Sequence, residues 1–279
     1  MKILVQTNKR QHHQLEHEFK KLEESGFEII PFGYYLSEDS KSITFTGLDD
    51  FDTSTPFVLR ANIEVLRLLK VEKIQSNIDL SNAIDYNHKS FNTMYIPSCE
   101  AFLNLSPQKH AFIKLKVVLN RRSDSNLFIK PIDDLKLFAG TYIPAGVTLL
   151  EVLEEKKDRI VFSPEELEKE VLVSSNCQRI VEEVRCYVVN RKVITMSRYR
   201  YQDKYNVTPP PDVLSEQYLM YAQRVIDKIY CPSDNFTIDL CEIDNNTLRV
   251  VEYNCLTSSG LYECDSVKLF TALKDYYSE

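Results

Sequence analysis

Short apolar runs separated by polar and turn-forming residues divide the chain into alternating predicted strands and helices. Near the N-terminus, the apolar spacing of Gln14–Glu24 predicts an amphipathic helix closed by Gly26. Asn62–Lys70 predicts a second helix, with Asn62 as its N-cap. The predicted strands around these helices are Lys2–Gln6, Phe27–Pro31, Ser42–Thr46 and Phe57–Arg60. We therefore expect residues 1–100 to form a small α/β domain.

The rest of the chain continues with strands, helices and hairpins. Pro107–Leu119 has helical apolar spacing, with Ser106 as its predicted N-cap, and Leu214–Ile229 and Ser266–Tyr276 are predicted helices. Tyr205–Pro211 is rich in proline and is predicted to be a loop. The predicted strands are Leu127–Lys130, Arg159–Phe162, Glu170–Ser174, Arg179–Val189, Lys192–Tyr201, Phe236–Ile243 and Leu248–Tyr253.

The last two of these strands form a predicted hairpin that carries three oxygen ligands. Side chains two apart on a strand share a face, so Glu252 and Asn254 point the same way, and Asp239 on the partner strand can reach that face. A surface ribbon with its polar side chains in water is the alternative. Both carboxylates interrupt apolar runs, where an unpaired charge is costly, and this favours a magnesium site.

Basic side chains on the predicted sheets suggest an anion site. Lys130 ends an apolar strand and can act as a phosphate ligand, although a lysine reaching from a strand end into solvent is the alternative. Arg185 lies in an otherwise buried-looking strand. Arg198 and Arg200 are two apart, so we expect both on the face beside Arg185, where Arg198 would orient a substrate carboxylate. Ion-paired arginines on an outer sheet face remain possible.

Composition narrows the classes of protein and cellular location. A length of 279 residues predicts two or three lobes, and 43% hydrophobic with 27% charged residues is ordinary for a globular protein. No apolar run approaches the roughly 18 residues of a membrane span, and the N-terminus lacks the pattern of a secretory signal. Seven cysteines without a Cys-x-x-Cys pair support neither disulfides nor zinc, and a net charge of −7 disfavours nucleic acid. We therefore expect a cytoplasmic protein without a membrane or nucleic-acid partner.

The order and spacing of the singled-out motifs resemble those of ATP-grasp enzymes, most closely the RimK-related clade common in phages and bacteria. The residues that carry the resemblance are Lys130-Pro131, Lys136 with Gly140, Glu183-Val184-Arg185, Arg198, Asp239 and Glu252-Tyr253-Asn254. The resemblance covers roughly Ser106 to Glu279. It implies an α/β (α+β) fold in which two lobes grip ATP, preceded by the N-terminal α/β lobe. Residues 101–279 would be the ATP-grasp domain, with a lid-like part at 101–175 and a catalytic part at 176–279.

The resemblance also implies roles for individual residues. Lys130 would contact the α- and β-phosphates, and Lys136 would lie in a mobile loop over the triphosphate. Adenine would rest on the hinge Val171–Ser174, where relatives often carry a glutamate near the start and this chain has the apolar Val171, Leu172 and Val173. The implied ATP-binding residues are Lys130, Lys136, Leu172, Val173, Ser174, Glu183 and Arg185. The implied catalytic residues are Arg185, Arg198 and Lys136, and Asp239, Glu252 and Asn254 would hold Mg²⁺.

The chemistry implied by the resemblance is ATP-dependent ligation. A substrate carboxylate attacks the γ-phosphate of ATP, which gives an acylphosphate and ADP, and an amine then displaces phosphate. The partners would be ATP, a carboxylate and an amine acceptor, the last being an amino acid, a peptide or a protein. Two alternatives stay open, a phosphotransferase that stops after moving the phosphoryl group and a non-catalytic nucleotide-binding module.

Overall fold

The computed structural model describes residues 1–7, 19–70, 73–84, 110–132, 137–156, 160–175, 180–201, 204–208, 212–228, 231, 233–243 and 247–278. Within these ranges the strands form three sheets, one N-terminal, one central and one C-terminal. The helices are α1 (19–24), α2 (Ile63–Lys70), α3 (Leu115–Val118), α4 (Leu149–Glu155), α5 (Pro164–Leu167), α6 (Asp212–Lys228) and α7 (Ser266–Ser278). None of these described helices has the length and hydrophobicity needed to span a bilayer.

The N-terminal sheet has the order β5-β3-β2-β1-β4-β6. Its strands are β1 (Lys2–Gln6), β2 (Glu28–Leu36), β3 (Ser42–Thr46), β4 (Phe57–Arg60), β5 (Gln75–Ser76) and β6 (Ala83–Ile84). β1 pairs in parallel with β2 and β4, and the buried Ile3, Leu4 and Val5 make it the apolar centre of the sheet. Asn62 caps α2, because its Oδ1 accepts from the Val65 amide at 2.9 Å. The α/β lobe expected from the sequence is thus present.

The central sheet has the order β7-β10-β8-β9. Its strands are β7 (His110–Lys114), β8 (Leu127–Pro131), β9 (Thr141–Ile143) and β10 (Glu170–Ser175). One face carries Ile129, Val171 and Val173, which pack in a core cluster with Leu115 and Leu149 from the covering helices. The opposite face, which carries the Lys130 side chain, therefore remains for contact with the rest of the protein.

Two predictions for this part of the chain are wrong. His110–Lys114 is not helical, because it pairs antiparallel with β10 and only Leu115–Val118 forms a helix; Ser106 and Pro107 lie outside the described residues. A sheet partner distant in sequence outweighs a local helical pattern here. Residues 160–162 of the predicted strand Arg159–Phe162 form no strand, and Phe162 instead packs into the core beneath the central sheet.

The C-terminal sheet is antiparallel throughout, with the order β13-β12-β11-β14-β15. Its strands are β11 (Ile180–Val189), β12 (Lys192–Tyr201), β13 (Lys204–Thr208), β14 (Phe236–Ile243) and β15 (Thr247–Asn254). Asn190 and Arg191 both have positive φ, as a two-residue turn between twisted strands requires. The predicted loop Tyr205–Pro211 is wrong in part, since Tyr205 and Thr208 pair with β12 and only residues 209–211 lie outside the described chain.

Helices cover the two faces of the C-terminal sheet. Val184 and Leu240 on one face pack in the same core cluster as Tyr218 and Val225 of α6. The other face carries Tyr187, which packs with α7 and with β1 of the N-terminal sheet. Earlier on β11, before Tyr187, this second face bears the charged Glu183 and Arg185 instead of apolar side chains.

Candidate active site

A buried ion pair lies at the centre of the C-terminal sheet. Arg185 on β11 is the direct cross-strand partner of Asp239 on β14. Its Nε and Nη2 atoms each donate a hydrogen bond of 2.7 Å to a different oxygen of Asp239, which is fully buried. Burial raises the pKa of Asp239 to about 6, with the Arg185 guanidinium acting in the opposite direction and Glu252 and Glu183 adding to the rise. The carboxylate remains ionised at neutral pH and is matched by a fixed positive charge.

A β-bulge on β12 places Tyr199 and Arg200 side by side at this cluster. The pairing of β11 with β12 shifts by one residue, so that Glu183 faces Arg200 and Val184 faces Arg198, with Tyr199 as the extra residue. The Tyr199 hydroxyl donates to Glu183 Oε2 and lies 3.3 Å from Asp239 Oδ2. Burial raises the pKa of this hydroxyl, which keeps it protonated as a donor. Sequence reasoning missed Tyr199, since nothing in the local pattern marks the bulge.

The same bulge overturns the expected arrangement of the arginines. Arg200 donates to Glu183 at 2.7 Å on the face that carries Asp239. Arg198 instead donates to the buried Glu182 at 2.8 Å, on the face that packs against α6. The expectation that Arg198 and Arg200 share the face beside Arg185 is therefore wrong, because the inserted residue breaks the alternation of side chains.

The hairpin β14–β15 and the central sheet meet at Glu252. Glu252 is the cross-strand partner of Asp239, and Asn254 donates from Nδ2 to Glu252 Oε1 at 3.0 Å. Lys130, the next-to-last residue of β8, places its Nζ 3.7 Å from Glu252 Oε2. The ammonium of one sheet thus lies against a carboxylate of the other, and we call the region where these two β-surfaces meet the cleft.

The donor set of the hairpin fits a magnesium ion. Two carboxylates and an amide oxygen are the hard ligands that Mg²⁺ accepts, and the Glu252 side chain is 35% exposed. Both Asp239 oxygens accept from Arg185, yet a carboxylate oxygen has lone pairs for a cation as well. Across the described ranges, no group of three histidine, cysteine, aspartate or glutamate side chains is arranged to hold a metal. The Glu252–Asn254 end is consequently the accessible part of the predicted site.

Two of the three predicted adenine-binding side chains face this cleft. Leu172 is the cross-strand partner of Lys130, so Leu172 and Ser174 lie on the cleft face of β10. Ser174 Oγ is buried and has no hydrogen-bond partner among the described residues. Val173 points to the opposite face, into the core beneath the helices. Lys136, the predicted residue of the loop over the triphosphate, lies outside the described residues.

Comparisons with known proteins agree with this architecture. The family model of the "ATP-grasp domain, R2K clade family 2" matches residues 109–272, more than half of the 279 residues. No curated protein matches the sequence significantly.

Solved structures show the same fold. A D-alanine–D-alanine ligase from Bacillus anthracis, complexed with ATP, superposes with a TM-score of 0.53 at 14% identity, covering 99% of this chain and 96% of its own. A RimK domain protein from Sphaerobacter thermophilus superposes with a TM-score of 0.50 at 13% identity, covering 100% of both chains. The family match over the central and C-terminal sheets shows that the chain belongs to the R2K clade of the ATP-grasp proteins.

Proposed function

We propose that this protein is an ATP-dependent, ADP-forming carboxylate–amine ligase. The observation that carries the proposal is the 3.7 Å approach of Lys130 on one sheet to Glu252 on the other, beside the buried Arg185–Asp239 pair. Opposed sheets with a cation on one side and carboxylates with a guanidinium on the other suit a magnesium-bound triphosphate. Its membership of the ATP-grasp family supports this reading.

Each charged side chain then has a part in binding ATP. When ATP binds, Lys130 leaves Glu252 and contacts the α- and β-phosphates. Arg185 presents Nη1, the nitrogen that does not donate to Asp239, to the γ-phosphate. Asp239, Glu252 and Asn254 would hold Mg²⁺, which when bound neutralises charge on the phosphate oxygens. Fixed positive charge placed where negative charge develops is the usual means of catalysing phosphoryl transfer.

The nucleoside would lie along β10 at the hinge. Leu172 offers an apolar surface and Ser174 an unpartnered hydroxyl on the cleft face. Val173 contributes main-chain groups only, since its side chain points away. Glu183 acts through the side chains it holds, because its two oxygens accept from Arg200 and from the Tyr199 hydroxyl. For Lys136, outside the described residues, we propose the role implied by the resemblance, in a loop over the triphosphate.

The proposed reaction has two steps. An oxygen of the substrate carboxylate attacks the γ-phosphorus, the bond from that phosphorus to the β-bridging oxygen breaks, and ADP leaves with the electron pair. The amine then attacks the acyl carbon, the carbon–oxygen bond to phosphate breaks, and the amine loses a proton as the amide forms. The acceptor is an amino acid, a peptide or a protein, and the reaction takes place in the cytoplasm, where ATP is available.

Product analysis with labelled ATP tests the proposal. Wild-type protein with Mg-ATP is screened against mixtures of carboxylates and amines, including amino acids and peptides, and ADP and free phosphate are measured together. A ligase releases equal amounts of both and needs both co-substrates, whereas a phosphotransferase releases ADP without free phosphate. Glu252→Gln, which keeps the side-chain shape but removes the charge, is expected to bind nucleotide weakly and release neither product. Absence of ATP binding in the wild-type protein would point to a different activity.

A further inference from the structure

The loop after β15, residues 255–262, is tied to the N-terminal lobe, and we call it the clamp loop. Arg60, the last residue of β4, donates hydrogen bonds to the carbonyl oxygens of Leu256 and Ser259. Inside the loop, the Ser259 hydroxyl donates to the Cys255 carbonyl at 2.7 Å. A guanidinium that bridges two carbonyls fixes the loop backbone relative to the N-terminal sheet.

The C-terminal sheet holds the other end of the clamp loop. The Tyr187 hydroxyl lies 2.6 Å from the Gly260 carbonyl and 2.7 Å from the Leu261 carbonyl, and its single proton is shared between these two acceptors. Just past the loop, the Glu263 amide donates to Ser197 Oγ at 3.1 Å. Hydrogen bonds therefore hold the backbone on both sides of Tyr262, the last residue of the clamp loop.

That last residue, Tyr262, has a strained backbone and a specific ring contact. Its φ of +53° is in the left-handed region, which is unfavourable for a tyrosine. Its ring stacks on Tyr199 with centroids 5.2 Å apart and planes 12° apart. The Arg185 guanidinium carbon lies 5.2 Å from the Tyr262 centroid and 5.5 Å from the Tyr199 centroid. Strained backbone conformations of this kind are common at functional sites, where the surrounding structure holds them in place.

We propose that Tyr262 is a positioning residue that sets the direction of the Arg185 guanidinium. Asp239 accepts hydrogen bonds from two nitrogens of Arg185, Nε and Nη2. The rings of Tyr199 and Tyr262 lie against the same guanidinium and limit its movement. The third nitrogen, Nη1, is therefore held in one direction. Because Arg60 fixes the clamp loop, this direction depends on the docking of the N-terminal lobe. The inference rests on the proposed function, since it concerns the residue that would face the γ-phosphate.

The first test measures Arg185 directly, without turnover. In ¹⁵N-labelled protein the Nε–H signal of Arg185 is identified by its loss in Arg185→Lys. We expect this signal to exchange slowly with solvent in the wild type and in Tyr262→Phe, which keeps the ring. We expect exchange at least tenfold faster in Tyr262→Leu. Tyr276→Leu makes the same change in another aromatic pair, on α7, where Tyr276 contacts Tyr277 and Asp234, and should leave the signal unchanged.

The second test separates positioning from a merely structural role. Tyr262→Asn removes the ring but suits a positive φ better than tyrosine does, so its melting temperature should be preserved more fully than that of Tyr262→Leu. Both variants should lose about tenfold in the kcat of ADP release, with the Kd of a non-hydrolysable Mg-ATP analogue within threefold of wild type. Tyr262→Phe, which keeps the ring, should retain wild-type turnover.

The outcomes distinguish the two proposals. If Tyr262→Asn and Tyr262→Leu keep wild-type turnover and slow Arg185 exchange, the positioning role is overturned. The same holds if activity falls only in proportion to the melting temperature. If the wild-type protein shows no ligase products while exchange at Arg185 still accelerates in Tyr262→Leu, the positioning stands and the proposed reaction does not.

Discussion

Removing Arg185 should destabilise the protein more than any exposed charge change, because Arg185 compensates a carboxylate that is fully buried. Two hydrogen bonds of 2.7 Å join Arg185 to Asp239, whose side chain has no solvent exposure. Taking away one partner of such a pair leaves a buried charge uncompensated, which costs about 3–5 kcal/mol. Since native proteins have roughly 5–15 kcal/mol of stability, Arg185→Met should retain only part of it. Its urea midpoint should fall accordingly.

A double-mutant cycle isolates the pair itself. Asp239→Asn alone should also destabilise the protein. The double variant, Arg185→Met with Asp239→Asn, removes both charges, so its loss of unfolding free energy should be about 3 kcal/mol smaller than the sum of the two single losses. The exposed pair Arg122–Glu151 is the matched control, because its side chains are 58% and 44% exposed. Changing both to glutamine should give nearly additive effects. Additivity within about 0.5 kcal/mol at Arg185 and Asp239 would refute the coupling.

Three further predictions concern single positions. Arg200→Lys should lower ATP turnover with little change in melting temperature, because Arg200 is 43% exposed on the Asp239 face. Arg198→Lys should lower the melting temperature more, because Arg198 forms an ion pair with the buried Glu182. Glu168→Gln should lower the melting temperature at pH 7. Hydrogen bonds from two lysines lower the pKa of Glu168 from 4.5 to about 2, so its stabilisation is present above pH 4.5 and this difference should narrow as the pH falls toward 2. Gly140→Ala should lower the unfolding free energy measured in urea by about 1–3 kcal/mol, because the added Cβ would lie 2.9 Å from the ring of Phe128 on the cleft face.

The elements with strong local patterns were predictable from the sequence. Lys2–Gln6 and Phe57–Arg60 match β1 and β4 residue for residue, and Phe236–Ile243 matches β14. Each is a short apolar run bounded by polar or turn-forming residues, so the local sequence alone identifies it. The hairpin that brings Asp239 and Glu252 together was predictable for the same reason.

The elements that depend on a distant partner were not predictable. His110–Lys114 is a strand because β10, about sixty residues later, offers an edge to pair with. Tyr205 and Thr208 are a different case, because they pair with the adjacent strand β12 in a local hairpin that was missed because the prolines after them suggested a loop. A periodicity argument sees only nearby residues, so a pairing decided elsewhere in the chain is invisible to it.

The bulge at Tyr199 shows how one inserted residue changes the chemistry of a sheet. Extending the alternation from the Arg185–Ser197 pair would place Tyr199 on the Arg185 face and both Arg198 and Arg200 on the opposite face. The register shift after Arg198 instead returns Arg200 to the Arg185 face, where it donates to Glu183, while Arg198 stays on the opposite face and donates to Glu182. The Tyr199 hydroxyl still reaches Glu183 and Asp239, and its ring stacks on Tyr262. Bulges recur next to active sites because they redirect side chains in this way, and here the bulge places Arg200 beside Tyr199, whose ring confines the guanidinium that would meet the γ-phosphate.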